Sequence, residues 1–531
     1  MNISRASGCG YFHGLIAVTL VTAGCSDSAD AVANKPAKNA DPYPAQWTDD
    51  SGLHTARFGD VSFIARDGKE LPARTYRATG FDEQKGPVWF VIHGAKRTTE
   101  RYIARVAPVA ERHNALAIAI TFSKEHYPSS RGFTLIVTTA GDPDETALEE
   151  GRWRKPDDYL HSEIEHVFEA VRATYSSSQQ GYYLFGHSAG AQFTHRLMTF
   201  LPQARVTQAV AANAGWYTLP ISGAGKSYSM PYGLRETPLS EADVDALVAA
   251  PLTILVGERD TKTPGEDPLV RGTMEAMMQG RNRLERGKYY FEMGRGRAGQ
   301  QPFGWRFAEV PRAKHSSAQM IGSAAFYLFS PEQTACTPDT AAGADDLLIT
   351  EILADPPPGL PGDANEDGIR DSLGDEFVEL LNTGSKAICL SGWALGDARK
   401  PERHVFPLGK ALAPGEALLV FGSGIPTGQF GGAHVQWAAF DGRLNLTNDG
   451  DVLTLRDRTG DIATQISWGD CAGYVCAAEH IKQGLGINAS IVRNPDSPER
   501  WTPHNEISNT KFSPGLRTDG SNWSTAKDTL Q

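Results

Sequence analysis

Tyr182-Tyr183-Leu184-Phe185-Gly186-His187-Ser188-Ala189-Gly190-Ala191-Gln192-Phe193 is the stretch whose reading decides the fold of this chain. An apolar, aromatic run reads as a buried strand and meets a Gly-x-Ser-x-Gly. Ala191, Phe193, Leu197 and Met198 then repeat at helical spacing. A serine hydroxyl is a weak nucleophile unless it is lifted clear of the backbone and given a base. A sharp strand-to-helix turn lifts it, and glycines at 186 and 190 leave room where side chains would collide. The helix that follows aims free N–H groups and the positive end of its dipole at charge developing beside Ser188. Taken alone, the pattern is equally a tight turn with a surface serine. Its position between a strand and a helix points to a nucleophile elbow.

The flanking sequence supplies a frame for that turn. Residues 61–65 and 71–76 read as strands around Asp67-Gly68. Residues 88–92 are a continuous apolar run of the kind found inside a parallel sheet, broken at His93-Gly94-Ala95. Residues 102–113 have helical spacing, with Tyr102, Val106, Val109 and Ala110 on one face. Residues 116–122 form the next buried strand, and 163–175 a helix through Ile164, Val167, Phe168 and Val171. Residues 206–212, 252–256 and 307–310 are further strands. Strands alternating with helices predict an α/β domain over 51–332, with a doubly wound, mostly parallel sheet covered on both faces.

This domain resembles the α/β-hydrolase superfamily. His93-Gly94, the stretch 186–193 and Asn213-Ala214-Gly215-Trp216-Tyr217 are similar to the polyhydroxybutyrate depolymerase and feruloyl esterase branch. The resemblance implies a triad in chain order serine, acid, histidine. Gly257-Glu258-Arg259-Asp260 supplies the acid, Asp260 first and Glu258 in reserve. Val310-Pro311-Arg312-Ala313-Lys314-His315 supplies His315. His315 takes the Ser188 proton and returns it to the leaving group, while Asp260 holds the imidazole tautomer. The oxyanion needs two backbone donors: Ala189 N–H, directly after the nucleophile, and, by resemblance, Ala95 N–H. His93 braces the oxyanion loop, and His187 and His195 read as packing or surface residues. Between 213 and 250, Trp216, Tyr217, Tyr228 and Tyr232 either wall an acyl or aromatic pocket or pack a cap, with Trp216 and Tyr217 the substrate-binding candidates. Trp305 is open in the same way. Lys96-Arg97 either meets a substrate carboxylate or is solvated.

Past a polar linker at 333–343, helical spacing disappears. Short β-type runs at 347–353, 377–381, 418–421, 452–456 and 463–468 alternate with Gly, Pro, Asn and Asp turns, which predicts an all-β sandwich over 344–516 and a tail over 517–531. Leu348-Ile349-Thr350-Glu351-Ile352-Leu353, Glu376-Phe377-Val378-Glu379-Leu380-Leu381, Leu390-Ser391-Gly392-Trp393 and Ser513-Pro514-Gly515 resemble the lamin tail domain, an immunoglobulin-like fold that binds or presents. Its Trp393 and alternating aliphatics read as core. The loop Asp363-Ala364-Asn365-Glu366-Asp367-Gly368-Ile369-Arg370-Asp371 starts like a calcium loop, with oxygens at alternate positions and Gly368 at the turn. Position twelve is Gly374, where a bidentate acid is expected, so Asp375 or Glu376 has to substitute. Asp363, Asn365, Asp367, the Ile369 carbonyl and Asp371 are the candidate ligands of a structural calcium; a plain acidic turn is the alternative.

Length and composition bound the rest. A chain of 531 residues needs two or three domains, and a net charge of -12 argues against a nucleic-acid surface. At the N-terminus, Arg5, a short apolar run at 11–21 and Thr22-Ala23-Gly24-Cys25 resemble a bacterial lipoprotein signal, although Thr22 stands where a larger aliphatic residue is usual. That implies lipidation at Cys25, a flexible tether at 26–50, and export to a membrane face in the periplasm or exterior; simple secretion is the alternative. Cys336, Cys389, Cys471 and Cys476 remain, an even count that implies disulfides. Cys471 with Cys476 closes a small loop and leaves Cys336 for Cys389, a pairing the spacing does not fix; none lies by a zinc-like histidine cluster. The expected function is an exported serine hydrolase acting on a carboxylic ester through an acyl-enzyme, with no cofactor for catalysis. The sandwich is free to take a polymer or a cell-surface ligand. A serine peptidase or amidase on the same triad, and a surface binding protein with an inactive hydrolase domain, are the competing readings.

Overall fold

The structure is a computed structural model that describes residues 48–51, 57–128, 131–135, 153–223, 228–333, 336, 346–438, 440–494 and 497–523. The signal segment, Cys25 and most of the expected tether and linker lie outside the described residues. Among the described residues, no helix is long and apolar enough to cross a membrane.

Nine strands make the first sheet: β1 (Thr48–Ser51), β2 (Phe58–Ile64), β3 (Glu70–Arg77), β4 (Val88–Ile92), β5 (Leu116–Ile120), β6 (Tyr182–His187), β7 (Val206–Ala212), β8 (Leu252–Gly257) and β9 (Arg306–Val310). Their order is β1-β2-β3-β5-β4-β6-β7-β8-β9. Only the β2/β3 and β3/β5 pairs are antiparallel; from β5 to β9 every neighbour is parallel. The strand Thr48–Ser51 pairs with β2, so the chain enters the sheet inside the stretch read as tether. All residues of β4, β5 and β8 are buried, as continuous apolar runs require when helices cover both faces. The helices Thr99–Arg112, Glu163–Tyr175, Ala189–Phe200, Arg283–Ala298 and Ser317–Phe329 supply those layers. The α/β architecture expected for this half is the one observed.

The second half is a sandwich of mostly antiparallel strands. One sheet runs β17-β16-β11-β10-β21-β22, with β10 (Leu347–Leu353), β11 (Phe377–Asn382), β16 (Ala417–Phe421), β17 (His434–Trp437), β21 (Ile491–Asn494) and β22 (Ser497–Pro503). The other runs β14-β13-β18-β19-β20, with β13 (Ala394–Gly396), β14 (His404–Val405), β18 (Gly450–Arg456), β19 (Ile462–Gly469) and β20 (Glu479–Ile481), and a short pair joins β12 (Ile388–Cys389) to β15 (Ala411–Leu412). Trp393 and Trp468 fill the core between them, so Trp393 is a packing residue. Residues 517–523, read as tail, stay attached through a bridge between Leu516 and Asn522 and an Arg517 guanidinium over the Trp523 ring. Among the described residues, Cys336 is bonded to Cys389 and Cys471 to Cys476, and the first bond ties the linker to the sandwich. The described residues form one compact unit, and Ile425 of the sandwich half packs into the core of the first half.

Candidate active site

The turn after β6 has the strain its motif requires. Ser188 is held at φ 60, ψ -116, a region that L residues occupy only when the surroundings enforce it. A Cβ on Gly186 would fall 2.2 Å from the Gly190 carbonyl oxygen, and one on Gly190 would fall 2.1 Å from that of Ile92. Both glycines are therefore steric necessities. Ser188 N–H donates to the Ala212 carbonyl at 2.9 Å, anchoring the turn to β7.

β6, β8 and β9 are parallel, so the segments that follow them reach the same edge of the sheet. There the structure brings Ser188, Asp260 and His315 together. Ser188 Oγ lies 3.0 Å from His315 Nε2, and His315 Nδ1 lies 2.7 Å from Asp260 Oδ2. A carboxylate only accepts, so Nδ1 carries the proton and Nε2 is free to accept from the serine hydroxyl. Asp260 is buried. Its second oxygen faces Arg283 Nη1 at 3.3 Å, and the same guanidinium holds Asp267 Oδ2 at 3.1 Å. Glu258 serves elsewhere: its Oε2 accepts the Arg312 N–H at 2.6 Å.

Ala189 N–H opens the helix Ala189–Phe200, where the first turn has no intrahelical acceptors. The Gly94-Ala95 loop approaches from the other side, since a Cβ on Gly94 would sit 3.6 Å from Ser188 Cβ. His93 braces this loop. Its Nε2 accepts from Phe122 N–H at 3.1 Å, which leaves Nδ1–H to donate to the Gly94 carbonyl at 3.1 Å. Burial, with Arg97 nearby, pushes its pKa down to about 3, so the ring stays neutral. His187 Nδ1 meets the Tyr102 hydroxyl at 3.0 Å, and its ring packs 4.9 Å from that of His315. Burial first, then the nearby guanidiniums of Arg105 and Arg283, hold its pKa well below the ordinary value. His195 is a core brace, with Nε2 accepting from Thr218 N–H at 3.1 Å.

The aromatic candidates separate. Tyr217 is fully buried and stacks on Tyr290 at 4.3 Å, so it presents no face to a ligand. Trp216 is also buried, packed on Tyr232, with the guanidiniums of Arg196 and Arg271 at 4.4 and 4.9 Å from its ring. Trp305 is core, donating Nε1–H to the Leu247 carbonyl. Arg97 braces the loop and is not simply solvated: it donates to the carbonyls of Phe122 and Tyr127 and covers the Phe133 ring at 4.0 Å.

The sequence assigns no role to three residues that take part in this geometry. Asn213 Oδ1 accepts from Gly257 N–H at 2.7 Å and its Nδ2 donates to the Lys314 carbonyl at 3.3 Å, so one side chain joins the acid turn to the histidine loop. Its position directly after β7 was the available signal. Arg283 and Asp267 had none, because their partners lie on other elements.

In the second half, the calcium-like loop folds on itself. Asp363 Oδ1 and Asn365 Oδ1 accept from Asp367 N–H, and Asp367 Oδ1 accepts from Ile369 N–H. Asp371 Oδ1 accepts from Leu373 and Gly374, while Asp375 Oδ1 and Oδ2 accept from Asn365 and Asp371. Burial, then the charges of Asp363 and Asp367, raise Asp375 to about 7. Among the described residues, the acidic, histidine and cysteine side chains that converge as a metal needs are Cys471, Cys476 and His480, and those two sulfurs are bonded to each other.

Residues 340–470 match the family model described as Lamin Tail Domain. Among solved structures, poly(aspartic acid) hydrolase-1 from Sphingomonas sp. KT-1 is 33% identical over 51% of this chain and 98% of its own, with a TM-score of 0.47. LpqC, a poly(3-hydroxybutyrate) depolymerase from Bordetella parapertussis, is 32% identical over 54% of this chain and 93% of its own, also with a TM-score of 0.47. No curated protein matches the chain.

Proposed function

The chain belongs to the α/β-hydrolase superfamily and carries a lamin tail domain, and from that premise we propose an exported serine hydrolase that cleaves acyl bonds through a Ser188-His315-Asp260 triad. The observation that supports this reading best is the unbroken hydrogen-bonded line from Ser188 Oγ through His315 to Asp260, at 3.0 and 2.7 Å. In the first step Ser188 Oγ attacks the acyl carbon as its proton passes to His315 Nε2. Asp260, buried and held from behind by Arg283, stabilises the imidazolium that forms. Ala189 and Ala95 N–H groups receive the oxyanion, and loss of one such donor costs about 3 kcal/mol of transition-state stabilisation. The imidazolium then protonates the leaving group. Water then attacks the acyl carbon as its proton passes to His315 Nε2, and the imidazolium returns that proton to Ser188 Oγ as the acyl–serine bond breaks.

An ester is the first reading of the substrate. The depolymerase from Bordetella is named for a polyester. An amide is the second reading, favoured by the 33% identity to a protein named for poly(aspartic acid), whose units are joined by amide bonds. Both names point to a polymer. Lipidation at Cys25 and export remain part of the proposal.

A fluorophosphonate, which reacts only with an activated serine, tests the triad. Wild type labels and Ser188→Ala does not; an unlabelled wild type leaves the binding-protein reading in its place. Turnover of a graded panel of p-nitrophenyl esters against peptide anilides and poly(aspartate) then separates ester from amide chemistry.

A further inference from the structure

We propose that the lamin tail domain is a working part of the hydrolytic site, with Glu402 as the positioning residue that ties the acid turn to the histidine loop; the inference rests on the triad reading above. Glu402 belongs to the sandwich, in the loop between β13 and β14. Its Oε2 accepts from Arg259 Nη1 and its Oε1 from Arg259 Nη2, both at 2.9 Å. The same Oε1 accepts from Arg312 Nη1 at 3.1 Å. Arg259 directly precedes Asp260, and Arg312 stands three residues before His315. One carboxylate of the second half therefore grips both segments that carry the proton relay of the first.

The surroundings make this a clamp and not a loose surface pair. The Glu402 side chain is 21% exposed and that of Arg312 10%, while Arg259 closes the pair from the solvent side at 43%. Burial pushes the Glu402 carboxyl up, but the two guanidiniums outweigh it and hold the group below the ordinary carboxylate range. A bidentate guanidinium–carboxylate pair fixes direction as well as distance. The loop that presents Glu402 is itself pinned. Its neighbour Arg403 is buried and donates to Asp397 Oδ2 at 2.6 and 3.0 Å and to Asp441 Oδ2 at 2.8 Å.

Arg312 adds a second tie, donating Nη2–H to the Asp457 carbonyl at 2.8 Å, and it holds φ 60, a strained backbone for a side chain of its size. Gly392 is the third tie, since a Cβ there would fall 2.8 Å from Pro311 Cβ. The acid and histidine segments already touch, through Arg259 N–H to the Ala313 carbonyl at 2.8 Å. The sandwich closes that contact from outside.

The test uses the full-length protein and the limiting rate of Ser188 labelling by a fluorophosphonate, which needs no knowledge of the natural substrate. Displacement of a catalytic group by about 1 Å costs on the order of a hundredfold, so a partly loosened relay in Glu402→Ala should label about tenfold more slowly, with the half-saturating probe concentration within about twofold of wild type. Glu402→Gln keeps an acceptor but loses the charge, and should fall between the two. Ser323→Ala is the control. It removes the acceptor of the Leu408 N–H, another contact between the two halves at 3.1 Å, and should lower the thermal midpoint without slowing labelling. Glu402 variants that label at the wild-type limiting rate overturn the proposal, as does slowing in Ser323→Ala equal to that in Glu402→Ala. An unlabelled wild type defeats the hydrolase reading first and this inference with it, and so is told apart from a labelled wild type with indifferent variants.

Discussion

Replacing Asp260 by Asn changes one atom and should nearly abolish the chemistry, because Arg283 dictates which way the new amide faces. In the native site Oδ2 receives His315 Nδ1–H at 2.7 Å, while Oδ1 faces Arg283 Nη1 at 3.3 Å. The Arg283 side chain is 2% exposed and carries only donors, so an amide NH2 turned toward it would leave two buried donors face to face. The carbonyl must take that side, which points the NH2 at His315 Nδ1. The imidazole then accepts at Nδ1, its proton moves to Nε2, and the ring can no longer receive the Ser188 proton. Wrong-tautomer substitution of this kind lowers turnover by about four orders of magnitude, about 5 kcal/mol in the barrier. Fluorophosphonate labelling and p-nitrophenyl acetate hydrolysis measure it, with the thermal midpoint confirming an intact fold. Glu258→Gln is the matched comparison. Its amide oxygen still accepts the Arg312 N–H, so labelling should stay within about threefold of wild type. A loss under about tenfold in Asp260→Asn, or a larger loss in Glu258→Gln, refutes the assignment of the acid.

Gly190→Ala should destabilise the fold by about 3 kcal/mol, since the new Cβ falls 2.1 Å from the Ile92 carbonyl oxygen; a thermal midpoint equal to wild type contradicts this. Cys336→Ser with Cys389→Ser opens a loop closed over a separation of 53 residues and should cost about 4 kcal/mol, against about 2 kcal/mol for Cys471→Ser with Cys476→Ser, separation 5, as denaturant midpoints will show. Burial and then the neighbouring Glu351 charge raise Glu379 to about 8, and burial raises Glu351. Both pKa values lie above those of the unfolded chain, so the stability they contribute is complete in acid and is lost as pH rises through about 8. The wild-type thermal midpoint should therefore fall from about pH 6 to about pH 9, and Glu379→Gln should flatten that fall. The calcium expected of the Asp363–Asp371 loop is tested the same way: about 1 mM calcium should raise the midpoint, more above pH 7 than below it, because protonated Asp375 no longer repels Asp363 and Asp367; no shift at either pH removes the ion from the loop.

The sequence by itself determined what is local. The aromatic run into Gly186-His187-Ser188-Ala189-Gly190 carries strand, turn and helix within a dozen residues. The apolar runs at 88–92, 116–122 and 252–256 announce the buried parallel strands Val88–Ile92, Leu116–Ile120 and Leu252–Gly257, because side-chain period and burial are written into neighbouring positions. The alternation of glycine and proline turns with short runs marks the second half as a sandwich for the same reason. Only the tertiary structure decided which acid meets His315. Asp260 and Glu258 sit two positions apart, and the curl of one turn sends the first to the imidazole and the second to a backbone N–H. Packing, too, sank Tyr217 into the core, matched the cysteines, and set Arg283 behind Asp260. Glu402 is the extreme case, 143 positions from Arg259. A charge of that kind has no pattern along the chain. Its meaning comes from the partner that folding delivers, and an isolated glutamate in a polar loop reads as solvated until the other half of the protein arrives against it.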